Sequence, residues 1–295
     1  MIEPLNIKIA IASGKGGTGK TFVATNIFFS IANNHNTLLI DCDAEAPNAA
    51  AFFKSTLTDT EEVYQQVPVI DENACTFCAK CSEWCHYNAI FIIPPSKIIK
   101  VLDDMCHDCG ACYAACKFNA IEGKKMSLGH IITCVTEQKC RIIEARMNIG
   151  IMTPVKLIKN AIKKSAAFNG IVIIDSPPGT SCPFIQTTSA ADYVILVTEP
   201  TPFGLSDLKQ SIETLNKMNK KYGVIINRAG IGNSDVYDYL KHECIPLLLE
   251  IPYDEKIAML YSTGKIVSEE VPEYQSMFLK AIENLIYLKE NKKIW

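Results

Sequence analysis

Short apolar segments rich in β-branched residues recur along this chain, separated by longer segments in which helices fit. Near-continuous apolar runs of this kind are typical of strands buried on both faces of a parallel sheet. The expected strands are Asn6–Ala12, Thr37–Ile40, Gly170–Ile174, Tyr193–Thr198, Gly223–Ile226 and Pro246–Ile251. The expected helices are Phe22–Ala32, Gly204–Tyr222 and Ser234–His242. This alternation predicts an α/β fold with a doubly wound, mostly parallel sheet.

A glycine-rich sequence lies between the first expected strand and the first expected helix. It has the pattern G-x4-G-K-T and consists of Gly14, Lys15, Gly16, Gly17, Thr18, Gly19, Lys20 and Thr21. In this context backbone N–H groups wrap a nucleotide phosphate at a helix N-terminus, where the helix dipole favours negative charge. Lys20 is expected to reach the β- and γ-phosphates, and the Thr21 hydroxyl to ligate Mg²⁺. The alternative is a glycine-rich turn that binds nothing; the spacing and flanking elements favour ATP or ADP with Mg²⁺.

Acidic residues follow two of the expected strands. Asp41 and Asp43 come directly after Thr37–Ile40, and Asp175 comes directly after Gly170–Ile174. The carboxyl ends of parallel strands face the ligand crevice of an open α/β sheet. A single buried strand that ends in Asp is common by chance, but two in this order after a phosphate loop indicate a nucleotide site.

Eight cysteines form two runs with the spacing C-x2-C-x2-C-x3-C, which is the bacterial ferredoxin pattern for iron–sulfur clusters. The fourth cysteine of each run ligates the other cluster in this pattern. The expected ligands of the first [4Fe-4S] cluster are Cys75, Cys78, Cys81 and Cys116, and those of the second are Cys106, Cys109, Cys112 and Cys85. The runs are an internal repeat offset by 31 residues, and the tripeptide Asn-Ala-Ile follows each of them. His86 and Lys117 stand where such runs usually have proline.

A structural zinc ion is the alternative metal for these cysteines, but zinc sites prefer two C-x2-C pairs at a longer separation. Five further cysteines have no ligand spacing, and each is either a small buried apolar residue or a thiol of a transfer site. They are Cys42, Cys134, Cys140, Cys182 and Cys244.

Composition narrows the classes of function. The chain of 295 residues is 48% hydrophobic and 21% charged, with a net charge of -3. This balance argues against a nucleic-acid binder that relies on a basic surface. No apolar run approaches the roughly 18 residues that a membrane span needs, and the N-terminal residues predict a first strand rather than a signal peptide. Thirteen cysteines without a secretory signal indicate a reducing cytoplasm and metal binding rather than disulfides.

The sequence from Lys15 to Thr21 matches K-G-G-x-G-K-[TS] and resembles the deviant Walker-A ATPases, the group of MinD, ParA, Mrp and the nitrogenase iron protein. In that family the extra lysine reaches the nucleotide of the partner subunit. The resemblance therefore implies an ATP-dependent homodimer in which Lys15 acts in trans, the alternative being a solvated surface lysine.

The resemblance also implies roles for residues at the strand ends. Asp43 matches the aspartate that orients the attacking water in the first switch, and Asp41 is expected nearer the metal. Asp175 matches the Walker-B aspartate that holds Mg²⁺ through water, and the amide of Gly179 can sense the γ-phosphate. The positions of Asn227 and of the Pro252–Asp254 turn, with Pro252 and Asp254, match contacts to adenine.

The whole chain resembles MinD-superfamily ATPases with an inserted small α+β ferredoxin domain. The expected domains are residues 1–65 and 123–295 for the P-loop NTPase and 66–122 for the ferredoxin insert. Three functions are open: an ATP-gated protein that transfers electrons or a metallocluster to a redox or metallocluster partner, an Mrp-like cluster carrier, and a MinD-like spatial organiser. A C-x2-C pair after residue 116, which Mrp proteins use, is missing. The amphipathic segment Gln275–Lys292, which could be a membrane helix of an organiser, is more simply a helix packed on the sheet.

Overall fold

The computed structural model describes residues 6–290. Within them the chain forms two compact units. The first unit consists of residues 6–60, 131–146 and 158–290, and the second of residues 61–130 and 147–157. Each unit is therefore discontinuous in sequence.

Residues 6–290 contain eleven β-strands. They are β1 (Ile7–Ala12), β2 (Thr37–Asp41), β3 (Ser55–Ile70), β4 (Ile90–Ile93), β5 (Ile98–Val101), β6 (Ile121–Thr136), β7 (Arg141–Met147), β8 (Ile171–Asp175), β9 (Tyr193–Thr198), β10 (Tyr222–Ala229) and β11 (Leu247–Pro252). The same residues contain ten α-helices. They are α1 (Lys20–Ile31), α2 (Lys80–Glu83), α3 (Ala111–Ala115), α4 (Val155–Lys163), α5 (Cys182–Ser189), α6 (Pro202–Lys217), α7 (Asp235–His242), α8 (Glu255–Ser262), α9 (Val267–Glu270) and α10 (Pro272–Glu290).

The main sheet has nine strands in the order β11-β10-β9-β1-β8-β2-β7-β6-β3. The pairs from β11 to β7 are all parallel. Strands β6 and β7 are joined by a tight turn in which the amide of Thr136 donates to the carbonyl of Cys140. The prediction of a mostly parallel α/β sheet is confirmed, and all six expected strands are present with ends shifted by at most three residues. The long strand β3 was not expected.

The core of the first unit explains why its central strands are apolar throughout. Every residue of β2, β8 and β9 is buried, because helices cover both faces of the sheet. Helix α10 packs its apolar face on α1, where the rings of Phe22 and Phe278 lie 6.2 Å apart. Burial of each large apolar side chain contributes about 1.5–3 kcal/mol to stability. The expected Gln275–Lys292 helix is thus packed on the core, although its residues 291 and 292 lie outside the described residues.

One helix ends earlier than expected. The sequence predicted that the helix beginning near Gly204 would continue to Tyr222, but α6 ends at Lys217. Asn219 adopts a left-handed conformation with φ 53°, which stops an α-helix. Tyr222 is already the first residue of β10.

The second unit repeats its backbone conformation at the same 31-residue offset as its sequence. Residues two positions after the first cysteine of each run have the same positive φ, 53° at both Phe77 and Asp108. Asn88 and Asn119, which open the repeated tripeptides, have φ 53° and 52°. The two cysteine runs therefore fold in the same way. Strands β4 and β5 form a separate antiparallel pair between them.

No helix in residues 6–290 is long and apolar enough to cross a membrane.

Candidate functional sites

A cavity of about 390 Å³ lies at the carboxyl ends of the central strands of the first unit. Its lining combines the glycine-rich loop after β1, the loop after β2, the C-terminal ends of β10 and β11, and helix α8. The lining residues are Gly16, Gly17, Gly19, Lys20, Thr21, Phe22, Asp43, Asn48, Pro178, Asn227, Arg228, Pro252, Tyr253, Asp254, Ile257, Ala258 and Tyr261. The volume suits a nucleotide, because ligand cavities typically measure about 300–1,000 Å³.

The glycine-rich loop has the backbone that phosphate binding needs. Gly17 and Gly19 have φ of 80° and 95°, a region that residues with side chains rarely adopt. A Cβ on Gly19 would collide with the side-chain amide of Asn227. That amide donates to the carbonyl of Thr18 at 2.9 Å and so joins the end of β10 to the loop. Helix α1 begins at Lys20, so its N-terminal amides face the cavity region.

Charged groups of opposite sign meet beneath the loop. Burial lowers the pKa of Lys20, while the carboxylates of Asp175 and Asp43 act to raise it. Burial and the nearby Asp41 carboxylate raise the pKa of Asp175. Within residues 6–290 neither oxygen of Asp175 has a hydrogen-bond partner of good geometry, and the hydroxyls of Thr18 and Ser176 also lack one. Buried polar atoms without partners are rare, and here they are the acceptors and hydroxyls that a hydrated cation and phosphates would satisfy.

Asp41 is buried and holds the loop that follows β2. Its Oδ2 accepts the amides of Asn48 and Ala49, each at 2.9 Å, and its Oδ1 accepts the amide of Asp43 at 3.0 Å. Burial raises the pKa of Asp41 to about 6, and these hydrogen bonds act against the rise. Both oxygens therefore fix the loop that carries Asp43 into the cavity. Burial also raises the pKa of Asp43, while Lys20 acts to lower it.

The second lysine of the loop points to an acidic residue of its own chain. Lys15 Nζ lies 3.7 Å from Glu199 Oε2, and the Glu199 side chain is 10% exposed. The Arg228 guanidinium pairs with the other oxygen of the same carboxylate. Glu199 follows β9, and Arg228 is in a left-handed conformation with φ 56° within β10. Two cations therefore share one carboxylate at the edge of the nucleotide cavity.

Two small cavities lie in the second unit, and cysteines line both. The cysteines of the first cavity are Cys75, Cys78, Cys81 and Cys116. The cysteines of the second cavity are Cys85, Cys106, Cys109 and Cys112. Each cavity thus takes three cysteines from one run and the fourth from the other run.

Backbone amides point at several of these sulfur atoms. The amide of Phe77 lies 3.4 Å from Cys75 Sγ, and the amide of Asp108 lies 3.5 Å from Cys106 Sγ, at the same offset in the repeat. The amide of Ala89 lies 3.2 Å from Cys85 Sγ. Hydrogen bonds to cysteine sulfur stabilise the thiolates that ligate iron–sulfur clusters and tune their potential.

The thiols of the two runs have different electrostatic surroundings. The amide of Lys80 and the lysine charge lower the pKa of Cys78. Burial raises the pKa of Cys112 to about 11, and burial with the nearby Asp108 carboxylate raises that of Cys106. Asp108 is paired with Lys156 in the same unit. Within residues 6–290, no three His, Cys, Asp or Glu side chains are arranged to hold one metal ion.

The sequence profile of the CobQ/CobB/MinD/ParA nucleotide binding domain matches residues 9–267. The chain belongs to this family. Its members are P-loop ATPases, and the fold of this chain is MinD-like as well. The MinD septum site-determining protein of Pyrococcus horikoshii, solved with Mg-ADP, superposes with a TM-score of 0.60 at 19% identity, covering 95% of this chain and 96% of that one. At this identity the likeness concerns the fold alone.

Two relatives illustrate the range of this CobQ/CobB/MinD/ParA family. An uncharacterised protein of Methanocaldococcus jannaschii is 33% identical over 261 residues, which cover 87% of this chain and 90% of the relative. The iron-sulfur cluster carrier protein of Pyrococcus horikoshii is 25% identical over 304 residues, which cover 97% of this chain and 88% of the relative. Both alignments extend over most of each chain.

Not every residue expected at the nucleotide site lines the cavity of this family member. All of the expected residues lie in the described part of the chain, and those outside the lining are Gly14, Lys15, Thr18, Asp41, Asp175 and Gly179. The Gly179 amide donates to the carbonyl of Ser13 at 3.2 Å. Gly14 packs closely on α6, where an added Cβ would lie 2.5 Å from the carbonyl oxygen of Asp207. Gly14 and Gly179 thus hold the glycine-rich loop in place from outside the cavity.

The sequence analysis missed several residues at the site. Tyr261, Ile257 and Ala258 come from α8, which was not expected as a helix, and Tyr261 stacks on Phe52 at 4.9 Å between ring centroids. Glu199, which pairs with Lys15, was also not expected at the site. The only signal for α8 was the Pro252–Asp254 turn, in which Asp254 caps the helix by accepting the amide of Lys256 at 2.8 Å.

The five remaining cysteines have different surroundings. Cys42 is fully buried and its pKa is raised well above the ordinary value, first by burial and then by Asp41. Cys140 is also buried, with the Thr37 hydroxyl 3.3 Å from its sulfur. Cys182 and Cys244 are exposed, and Cys134 is half-buried. The buried pair fits the description of small apolar residues.

Proposed function

We propose that this P-loop protein binds and hydrolyses Mg-ATP in the cavity of the first unit. The phosphates would be held by the backbone amides of Gly16, Gly17 and Gly19 and by the ammonium of Lys20. A buried ammonium group is stable only beside an anion, and the phosphates would supply one. The buried carboxylate of Asp175 and the nearby hydroxyl of Thr21, which form no hydrogen bond of good geometry with each other, suit the hydrated Mg²⁺.

In the same proposal Asp43 orients the attacking water, since its carboxylate lines the cavity opposite the loop. Asp41 contributes by fixing the Asp43 loop through three amides, and less by direct approach to the metal. Asn227, Pro252 and Asp254 line the end of the cavity that suits adenine. The Gly179 amide would exchange its bond to Ser13 for the γ-phosphate. Mg²⁺ supplies charge neutralisation of the phosphates, which is the main requirement of phosphoryl transfer.

We further propose that residues 66–122 are a ferredoxin domain that holds two [4Fe-4S] clusters, inserted between the NTPase segments 1–65 and 123–295. The observation that carries this proposal is the lining of the two cavities, because each contains three cysteines of one run and the last of the other. That crossed arrangement is the ligand pattern of two-cluster ferredoxins. Structural zinc prefers two C-x2-C pairs at a longer separation than these runs have.

The two activities are proposed to be coupled through a homodimer. ATP would close the dimer with Lys15 reaching the partner's nucleotide, and closure would govern transfer of electrons or a metallocluster to a protein partner. The pairing of Lys15 with Glu199 supports this switch, because it gives the lysine a resting position within its own chain. The clusters supply one-electron chemistry when bound.

A second candidate is an iron–sulfur cluster carrier, which the 25% identity to the carrier protein of Pyrococcus horikoshii favours. The clusters of a carrier are labile and leave the protein, whereas clusters for electron transfer stay bound. Transfer of iron and sulfide to an apo-ferredoxin, measured with and without Mg-ATP, separates these candidates.

The decisive experiment is anaerobic reconstitution followed by iron analysis and nucleotide binding. We expect about eight iron atoms per chain, from two clusters of four. Lys20→Ala should abolish nucleotide binding and keep all of the iron. Cys78→Ser should lose iron from one cluster and still bind ATP. Zinc in place of iron, or loss of iron in Lys20→Ala, would contradict the proposal of two separable sites.

A further inference from the structure

One face of the β4–β5 sheet is left uncovered by residues 6–290. In an antiparallel pair, residues directly opposite each other point to the same face. Phe91 is opposite Lys100 and Ile93 is opposite Ile98, so these four side chains form one surface, the outer face. Phe91 is 52% exposed, Ile93 37% and Ile98 49%. Lys100 is exposed as well. Three large apolar side chains exposed together on one side of a short hairpin are unusual for a surface that only meets water.

The inner face of the same strand closes both cysteine cavities. Ile92 lines the cavity of Cys75, and Ile90 lines the cavity of Cys106. The outer face is therefore the opposite side of β4, the strand whose inner side chains line both cavities. A protein layer packed on a sheet lies about 10 Å from it, so a partner on the outer face would be close to both cavities at once.

The charge around the outer face differs from that of the whole chain. Residues 84–102 contain Lys97 and Lys100 and no Asp or Glu, although the chain has a net charge of -3. The acids that flank this segment are Glu83 and Asp104, which are both exposed, and Asp103, which is paired with Lys124 at 2.5 Å. The outer face is thus an apolar patch on a hairpin that carries two lysines and no acid. Its complement is an apolar patch surrounded by carboxylates.

A second copy of this chain fits the outer face poorly. A symmetric contact would place the same patch on both sides, so the lysines of both copies, Lys97 and Lys100, would enter one small interface that contains no hairpin acid. Like charges opposed across an interface cost several kcal/mol. The charge pattern therefore favours a different, acidic protein.

We propose that the outer face is the docking surface for an acidic one-electron carrier protein. This inference rests on the proposed clusters and names the class of partner that exchanges electrons with them. Phe91, Ile93 and Ile98 form the apolar centre of the contact, and Lys97 and Lys100 steer the acidic carrier to it.

A flavodoxin with an acidic face around its flavin is the probe. Its oxidised form is titrated into the reconstituted protein by calorimetry at low salt. Its reduced form is mixed with the oxidised protein in a stopped-flow instrument, where one electron passes to the protein without proton transfer. The tested variants are Lys97→Glu with Lys100→Glu, and Phe91→Ser with Ile98→Ser. The controls are Lys159→Glu with Lys163→Glu for charge, and Ile149→Ser, which is fully exposed in the second unit, for apolar surface.

We expect the charge reversal to weaken flavodoxin binding and to slow reduction by about tenfold or more at low salt, with a smaller salt dependence. The serine variant should weaken binding at all salt concentrations. Both control variants should behave as the wild type, and dithionite should reduce all five proteins equally. The inference is overturned if flavodoxin neither binds nor reduces the wild type, or if the outer-face variants match the controls. A changed sedimentation of the protein alone in those variants would overturn it too, in favour of a contact between copies.

The calorimetric binding and the dithionite reaction keep the two proposals distinguishable. If dithionite bleaches no iron–sulfur absorbance, the proposed clusters are wrong. If the absorbance bleaches with dithionite and flavodoxin has no effect, only the docking surface is wrong.

Discussion

Replacing Glu199 with glutamine tests the resting position of Lys15. The ammonium of Lys15 lies 3.7 Å from the Glu199 carboxylate, and their side chains are 31% and 10% exposed. At an effective dielectric constant of about 20, two charges at this distance attract by about 4 kcal/mol, but desolvation and side-chain ordering leave a net value of about 1 kcal/mol for such a pair. The side-chain amide introduced by Glu199→Gln keeps the shape of the carboxylate, and its oxygen can still accept a hydrogen bond from Arg228.

If Lys15 must leave Glu199 to reach the partner's nucleotide, each dimer loses two of these pairs. Removing the charge should then favour dimer formation by about 2 kcal/mol, which is about thirtyfold in the dissociation constant of the ATP-bound dimer. Sedimentation velocity with Mg²⁺ and a non-hydrolysable ATP analogue measures this constant. Glu213→Gln is the control, since Glu213 pairs with Lys217 on the exposed side of α6.

An unchanged or weaker dimer in Glu199→Gln would refute the reasoning, because it would mean that Lys15 does not have to leave its own chain. Lys15→Ala distinguishes the remaining cases. It should abolish ATP-dependent dimerisation while nucleotide binding by the monomer persists. A dimer of normal stability in Lys15→Ala would show that the lysine does not act in trans.

Three other residues give independent tests of the clusters, the phosphate loop and the buried acid. In electron paramagnetic resonance, Cys116→Ala should reduce the signal of the cluster in the cavity that contains Cys75 and leave the signal of the other cluster unchanged. Cys244→Ala is the control, because Cys244 is exposed and lies outside both runs. Loss of both signals, or of the other signal alone, would disprove the crossed ligand sets. Gly19→Ala should weaken nucleotide binding at least tenfold in calorimetry, because φ 95° and the collision with Asn227 both oppose a side chain, whereas tight binding would show that the loop can adjust. The pKa of Asp41 is raised from 3.8 to about 6 in the folded protein, so folding favours the neutral carboxyl. The contribution of this group to the free energy of unfolding is therefore complete below pH 3.8 and is lost as the pH rises through about 6. The melting temperature of the wild type should therefore fall relative to that of Asp41→Asn between about pH 4 and pH 6, and parallel curves would contradict the shift.

The sequence predicted the class of the fold and the six central strands because strands buried on both faces of a parallel sheet consist of consecutive apolar residues. It placed the strand ends within three residues, since the polar residues that follow each strand are visible in the sequence. The end of α6 was wrong because an asparagine in a left-handed conformation stops the helix, and residue type alone does not reveal that conformation. The long strand β3 escaped prediction because it contains many polar residues and exposed positions.

Local motifs were readable because neighbouring residues alone create them. The loop from Gly14 to Thr21 and the spacing within each cysteine run depend on dihedral angles over a few residues, and the repeat at 31 residues is visible both in sequence and in backbone angles. Only the tertiary structure decided which distant groups meet. Asn227 reaches Thr18 across 209 residues of sequence, because the sheet order places β10 only one strand away from β1, with β9 between them.

The same distinction holds for charge. The sequence contained the acids and lysines of the nucleotide site, but it could not show that Lys15 faces Glu199 or that Asp41 has both oxygens on backbone amides. The pairing of strands also determined that Phe91, Ile93 and Ile98 share an exposed face. Sequence patterns fix local backbone geometry and burial, whereas the partners of a side chain depend on which strands become neighbours, and that is settled by the packing of the whole chain.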